Sequence, residues 1–427
     1  MGFVVEYGNY TLPVAISILV YLLVLRTEPI TRNGSRLRKP PDTLPLLGNG
    51  IKFLQSRWKL LAWFDDCQRR FGYETVSLSV PTLPPGVLIQ SPENLDYVFK
   101  NEGVLFGKGD FVKGRSWDLF GNGIINADGD LWKRQRKAGL AFLNTANLRV
   151  LTEVALPQYL AETLDDVRSR AAQGPVLVDL QHVFLDITTK LMGRMAYNME
   201  MRADDEFTRC FDHASGVTAS RFQNPLWRVT ELFTGQSFRH SLGVVKDFGQ
   251  RIVAGAVQDR ERKATKAEEG SSSDTKLERI SGSLIQSLLD ALGGDEATVA
   301  DAALTYLSAG RDTTAQALTW TFYLLAQHPE AVAEIRREVD CIRSEQEEQE
   351  QGSVAPSPSL LTTLTPSNLP YTTALFHESM RLYPPIPIEI RQCLSPTQLP
   401  DGRFLRPHEE SHILRLFRFV ALIVIRS

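Results

Sequence analysis

The chain has 427 residues, of which 43% are hydrophobic and 23% charged, a balance typical of a globular protein with one large domain or two ordinary ones. Its net charge of -3 argues against nucleic acid as an electrostatic partner. The cysteines are scattered without CxxC pairing, so the sequence suggests neither a disulfide framework nor a zinc ribbon; they are Cys67, Cys210, Cys341 and Cys393.

The N-terminal segment is predicted to be a membrane anchor. No charged residue occurs from Tyr7 to Leu25, and this length is just enough for one helix to cross a bilayer. Basic residues follow up to Lys39, so the positive-inside rule places the rest of the chain in the cytosol. A helix buried in the core is the alternative. Residues 26–48 then form a basic, proline-rich hinge before a main domain over residues 49–402.

The main domain is predicted to begin with a small β-rich lobe. Helical periodicity runs from Trp58 to Phe71 and ends at Gly72. Two short strands follow, at Thr75 to Val80 and at Gly86 to Gln90. Ser91 then caps another helix.

A basic helix with an aromatic residue comes next. Trp132 and Arg136 are four residues apart and therefore lie on one helix face, while Lys133, Arg134 and Lys137 point elsewhere. Taken alone, this pattern is typical of a solvated basic helix.

Several helices are predicted between Val176 and Gln258, with breaks at Asn224-Pro225 and Gly235. Aromatic residues near these breaks form either a pocket lid or ordinary core; they are Phe222, Trp227 and Phe233.

The run from Asp301 to Gln327 is predicted to be one long helix that is apolar around most of its circumference. Its middle nevertheless holds Gly310, Asp312 and Thr313, which a purely structural core helix should avoid. Such a conflict is typical of a functional site. A threonine-rich helix with its hydroxyls bonded to the preceding turn is the alternative.

The segment after this helix contains a polar stretch and a second motif. Ser344 to Ser359 is rich in Glu, Gln, Ser and Pro and is predicted to be a surface loop. Glu378 and Arg381 are three residues apart on one helix face, and the prolines that follow, from Pro384 on, stop this helix.

The two motifs, in this order, resemble the oxygen-binding helix and the ExxR helix of the cytochrome P-450 (haem-thiolate monooxygenase) superfamily, microsomal type. The resemblance implies a mainly α fold with a small β-rich lobe behind an N-terminal transmembrane helix. It also implies a haem b cofactor, an NADPH-dependent reductase as partner, and a single-pass location in the endoplasmic reticulum membrane with the domain facing the cytosol.

The resemblance also implies roles for individual residues. Asp312 relays protons and Thr313 hydrogen-bonds the oxygen, while the helix widens locally at Gly310. The remaining positions are an oxygen pocket at Ala309 and Gly310, haem-propionate ligands at Trp132, Arg136 and Arg391, and a buried structural ion pair between Glu378 and Arg381.

The resemblance ends before the haem-ligand loop. The family's axial cysteine lies in an FxxGxxxCxG loop, whereas the last cysteine here, Cys393, lies too close to the ExxR helix and lacks that context. A C-terminally truncated domain with no axial cysteine and an aberrant tail over residues 403–427 is therefore expected. In that tail, His408 to His412 formally spell the zinc motif HExxH, and Phe419 to Ile425 is predicted to be an aggregation-prone or unpaired strand.

Arg311 between Gly310 and Asp312, with Leu318-Thr319-Trp320 after it, resembles the fungal and plant fatty-acid and alkane hydroxylase clan. The expected function is a haem-dependent monooxygenase that inserts one oxygen atom from O2 into a fatty-acid-, alkane- or terpenoid-like substrate. A non-catalytic truncated homologue is the alternative, and an HExxH zinc hydrolase is a distant third.

Overall fold

A computed structural model of the protein describes residues 13–14, 16–17, 31–32, 35–45, 47–72, 74–81, 83, 86–268, 283–351, 363–405 and 419–423. Within these residues the chain is mainly helical and carries two small sheets, which confirms the predicted fold class at this level. The predicted anchor over residues 7–25 lies outside the described part of the chain, apart from Pro13, Val14, Ile16 and Ser17. No helix of the described part has the length and hydrophobicity that crossing a bilayer requires.

The helices follow the strong local signals of the sequence. The bounds are α1 Gly50–Phe53, α2 Arg57–Phe71, α3 Pro92–Lys100, α4 Gly109–Phe120, α5 Gly129–Phe142, α6 Thr145–Val150, α7 Leu156–Ala171, α8 Leu180–Tyr197, α9 Glu206–Ser220, α10 Trp227–Thr234, α11 Gln236–Glu268, α12 Ser283–Leu292, α13 Glu296–Leu325, α14 Pro329–Gln351 and α15 Pro370–Leu382. Helix α2 ends before Gly72, and the Ser91 hydroxyl caps α3 by accepting a hydrogen bond from Asn94 N at 3.2 Å. Both agree with the sequence prediction.

Two sheets form the β-rich lobe. The strands are β1 Thr31–Arg32, β2 Ser35–Arg36, β3 Val76–Leu78, β4 Gly86–Ile89, β5 Phe106–Gly107, β6 Ile388–Cys393, β7 Thr397–Gln398, β8 Arg403–Leu405 and β9 Phe419–Ile423. The four-stranded sheet has the order β2-β1-β8-β7, and the five-stranded sheet has the order β3-β4-β9-β6-β5.

The prediction of an unpaired strand near residue 420 was wrong. Strand β9 lies between two partners, parallel to β4 with Gly86 opposite Phe419, and antiparallel to β6 with Ile388 opposite Ile423. Every residue of β4 is buried, so its backbone groups at that edge need partners. The apolar β9 supplies them, which local sequence could not indicate.

The prediction of a surface loop beginning at Ser344 was also wrong for the residues up to Gln351, because α14 continues through them. Glutamate and glutamine are good helix formers, and their abundance extends the helix into solvent. Residues 352–359 lie outside the described part of the chain.

Helix α13 forms the axis of the helical body. It begins after Gly293 and Gly294, whose positive φ angles of 64° and 85° end the preceding helix, and Asp295 caps it by accepting from Thr298 N at 3.1 Å. One face is fully buried in the main core; its residues include Val299, Ala302, Ala303, Leu304 and Leu307. Because this face is buried, the opposite face of α13 is directed away from the main core.

Candidate active site

The motif residues in the middle of α13 lie on two different sides of this helix. Ala309 and Thr313 share one side, where Ala309 is exposed, and the Thr313 hydroxyl donates to the Ala309 carbonyl oxygen at 2.6 Å. Gly310 faces α8 instead, since a Cβ atom there would collide with the Met192 side chain. The helix is regular α through Gly310, so neither the predicted widening nor an open pocket at this glycine is observed. Gly310 serves close packing of two helices.

Arg311 is the centre of a polar cluster beside this motif. Its guanidinium is only 2% exposed and donates to Thr189 Oγ1 at 2.8 Å on α8, to Asp212 Oδ2 at 3.0 Å on α9 and to Asp312 Oδ1 at 2.9 Å. Asp312 also accepts from Ser308 Oγ at 3.2 Å. Arg311 therefore joins three helices at the motif. The sequence signal for this role was a charged residue at a core position of an apolar helix.

The environment of Asp312 favours the protonated carboxyl. Burial raises the pKa of Asp312 above its ordinary value of 3.8; the Arg311 charge opposes this, and the Asp212 charge adds to it. The folded state therefore holds this proton more tightly than the unfolded chain. The stability that this group contributes is present below pH 3.8 and is lost as the pH rises through the raised pKa.

Asp312→Asn is therefore expected to stabilise the protein at pH 7, with a gain that disappears at acidic pH because the native carboxyl is then neutral too. Asp186→Asn is the control of opposite sign. Burial raises the pKa of Asp186, but hydrogen bonds from Lys190 Nζ at 2.8 Å and Ala203 N at 3.0 Å bring it below the ordinary value. Urea unfolding from pH 4 to 8 measures both. A stability loss in Asp312→Asn at pH 7 would contradict the expectation.

Helix α5 lies against α13 near the motif. Tyr306 of α13 donates its hydroxyl to the Gln135 carbonyl oxygen at 2.8 Å. Burial raises the pKa of Tyr306, and the nearby positive charge of Arg136 opposes this effect. Trp132 and Arg136 are both exposed on α5. The tertiary structure thus brings α5, which carries Trp132 and Arg136, beside α13, which carries Ala309.

Two further predicted features differ from expectation: the propionate ligand Arg391, and the buried ion pair of Glu378 with Arg381. Arg391 on β6 is 5% exposed and is held by Glu102 Oε1 at 2.9 Å and by Glu389, so its charge is already balanced by two carboxylates. Arg381 donates to Glu378 at 2.7 and 2.6 Å as an exposed pair on α15, so the prediction that this pair is buried was wrong.

Helix α15 is nevertheless fastened to α13. The Thr321 hydroxyl donates to Ser379 Oγ at 2.9 Å, and the ring of Trp320 stacks on Tyr383 with centroids 4.4 Å apart. These contacts place the ExxR helix beside the C-terminal half of the motif helix.

A cavity of about 450 Å³ reaches α13 from the β-rich lobe. Helices α2, α4 and α9 and strand β6 form its walls, and Ser308 is its contact with α13. The volume of the cavity lies in the range of small-molecule sites. Most of its wall is apolar; representative residues are Leu61, Phe64, Val112, Phe120, Phe222 and Ile390. Of the aromatic residues near the helix breaks, Phe222 lines this cavity and Phe233 is 84% exposed.

The residues that the resemblance assigns to haem fit it in part. Trp132 and Arg136 are both exposed on α5, and their N–H donors suit carboxylate groups, although neither residue lines the cavity at Ser308. The axial thiolate does not fit. Cys393 is buried and donates its thiol to the Ser395 carbonyl oxygen at 3.0 Å, and none of the four cysteines of the chain lines the cavity at Ser308. Within the described residues no group of three His, Cys, Asp or Glu side chains is placed to hold a metal ion, and the HExxH sequence lies outside them.

Comparison with known proteins agrees with this architecture. The family model described as cytochrome P450 matches residues 39–410. The chain is 26% identical over 388 residues to cytochrome P450 CYP94D108 of Paris polyphylla, covering 87% of this chain and 72% of that protein. It is 28% identical to cytochrome P450 94B1 of Arabidopsis thaliana, covering 86% and 69%, and 27% identical to cytochrome P450 monooxygenase cyp1 of Mycosarcoma maydis, covering 85% and 56%.

The match to the family model spans most of the β-rich lobe, α5, the motif helix α13 and the ExxR helix α15. The family is one of haem-iron monooxygenases that draw electrons from a redox partner. Because its model matches most of the chain, the protein belongs to the cytochrome P450 family.

Proposed function

We propose that this protein binds haem and oxidises a long apolar substrate, fatty-acid-, alkane- or terpenoid-like, in the cavity beside α13. One observation carries the proposal. The apolar cavity is lined on its α13 side by Ser308, which immediately precedes Ala309 of the oxygen-binding helix motif. A substrate chain in the cavity would therefore contact α13 next to that motif.

Each residue has a distinct part in this proposal. When bound, haem supplies the activation of O2 for insertion of one oxygen atom into a substrate C–H bond. Trp132 and Arg136 would hold its propionate groups through their N–H donors. Ser308 and Asp312 form a proton path, because the hydroxyl that lines the cavity also donates to the Asp312 carboxylate. The apolar walls exclude water from the substrate.

The proposed partner is an NADPH-dependent reductase at the endoplasmic reticulum membrane, on the cytosolic side. An exposed basic group on α5 supports this partner through charge complementarity with an acidic protein; its members are Lys133, Arg134 and Lys137. Lys133 also pairs with Asp130 at 3.3 Å, an exposed pair that solvent weakens.

Haem titration of the purified chain tests the proposal. We expect haem uptake, and Arg136→Ala should weaken it roughly tenfold because one charge-assisted hydrogen bond is lost. Lys137→Ala is the matched control, since this residue is an exposed cation of the same helix outside the proposed pair. Equal affinities of the two variants, or no uptake by the parent chain, would contradict the proposal.

A second candidate is a non-catalytic homologue that keeps the cavity without turnover. The placement of all four cysteines away from the cavity favours it. The absorption spectrum of the reduced, carbon-monoxide-bound protein distinguishes the two, because the red-shifted thiolate band requires a cysteine ligand.

A further inference from the structure

Two hydroxyl groups of α9 interrupt the apolar wall of the cavity. Ser215 and Thr218 are three residues apart and therefore share a helix face, and both line the cavity. The oxygen atoms Ser215 Oγ and Thr218 Oγ1 are buried and have no hydrogen-bond partner among the described residues. Thr218 as a whole is only 3% exposed.

This lack of partners is unusual within the cavity. Ser116 donates to the Val112 carbonyl oxygen at 2.8 Å, Ser308 donates to Asp312, and Gln223 donates to the Gln55 carbonyl oxygen at 3.1 Å. Threonines in helices commonly donate to the carbonyl one turn earlier, as Thr188 does to Phe184 at 2.9 Å. Thr218 lacks that bond, so its buried hydroxyl has lost its hydration without gaining a hydrogen bond within the fold.

We propose that Ser215 and Thr218 form a hydrogen-bonding subsite for an oxygen atom of the substrate. Resting on the function proposed above, this narrows the substrate class to a long apolar molecule with a hydroxyl or carboxyl group and excludes plain hydrocarbons. Both hydroxyls can donate to such an oxygen, and both can accept from an alcohol. The apolar wall around them binds the rest of the molecule.

The position of the subsite along α9 sets the orientation of the substrate. Asp212 contacts Arg311 at the motif, and Ser215 and Thr218 follow it on the same helix. With a rise of about 1.5 Å per residue, they lie roughly 4.5 and 9 Å from Asp212 along the helix axis. The substrate oxygen is thus held up to two turns along α9 from Asp212, and its apolar part occupies the same cavity, which Ser308 also lines.

Two cations also line the cavity and bear on the choice between hydroxyl and carboxyl groups. Arg57 lies at the start of α2 and is exposed. Lys108 Nζ lies 3.7 Å from Glu389 Oε1 and 3.9 Å from Glu102 Oε1, so its charge is already opposed. The two hydroxyls of the subsite therefore recognise an oxygen atom of the substrate. Comparing a neutral with an anionic ligand distinguishes a hydroxyl group from a carboxylate.

Equilibrium dialysis of the full chain against decane, decan-1-ol and decanoate tests the subsite. We expect at least one oxygenated ligand to bind about tenfold more tightly than decane, because it satisfies the buried hydroxyls. Ser215→Ala and Thr218→Val should remove this preference without weakening decane binding. Thr218→Ser, which keeps the hydroxyl, should retain it.

A second measurement separates this subsite from a structural role. Thr218→Val should raise the urea midpoint of the ligand-free protein, since valine fills the same volume without an unsatisfied hydroxyl. A lower midpoint would show that the hydroxyl has a partner within the fold and would overturn the inference. Equal binding of decane and both oxygenated ligands would overturn the proposed subsite but not the proposed function. Failure of all three ligands to bind would also contradict the proposal that the cavity binds the substrate.

Discussion

Arg221→Ala is expected to destabilise the protein by about 3 to 5 kcal/mol, the range for breaking a buried ion pair. Arg221 is 2% exposed and donates to both carboxylate oxygens of Glu231 at 2.7 Å. It also pairs with Asp118 at 2.8 Å and donates to the Arg115 carbonyl oxygen at 2.8 Å. Its removal leaves a largely buried carboxylate at Glu231 without its cation.

The loss should extend beyond the ion pair because Arg221 joins several elements. It follows α9, while Asp118 lies on α4 and Glu231 on α10. Its guanidinium lies over the rings of Trp227 and Phe238, 4.3 and 4.6 Å from their centroids. Without these contacts α10 loses its ion-pair connection to the end of α9 and, through Arg221, to α4.

Urea unfolding of Arg221→Ala, with Lys100→Ala as control, measures this effect. Lys100 pairs with Asp96 on the surface of α3, where the two side chains are 73% and 60% exposed. An exposed pair of this kind contributes roughly 0.2 to 1 kcal/mol. Similar losses in the two variants would show that burial does not set the strength of the Arg221 contacts.

Arg311→Ala should have the second largest effect, about 3 kcal/mol, at the lower end of the buried-pair range because solvent reaches Asp212. Its guanidinium is 2% exposed, whereas the Asp212 side chain is 48% exposed. The variant also leaves Asp312 beside Asp212 with no cation between them, which should raise the pKa of Asp312 further.

A double-mutant cycle with Asp212→Ala isolates the link between α13 and α9. If the pair couples the helices, the losses from Arg311→Ala and Asp212→Ala should add up to more than the loss in the double variant. Strict additivity would mean that Arg311 acts through Thr189 and Asp312 alone. Because α9 also carries Ser215 and Thr218, loss of this link should weaken ligand binding in the cavity.

Local signals in the sequence were sufficient for the helices that surround the site. The periodicity of α2, the Ser91 cap of α3 and the apolar run of α13 depend on residues within one or two turns of each other. The spacing of Trp132 and Arg136 likewise placed both on one face of α5. Family membership followed from the order of such motifs along the chain.

By itself, then, the sequence determined the helices that surround the site, the mainly α class and the family. Tertiary structure alone decided that Gly310 packs against Met192, that β9 completes a sheet, that Arg311 pairs with Asp212 and that two hydroxyls of α9 face an apolar cavity. The reason is physical: helices arise from contacts between near neighbours, whereas burial and partner choice depend on residues far apart in the chain that meet only when the core closes.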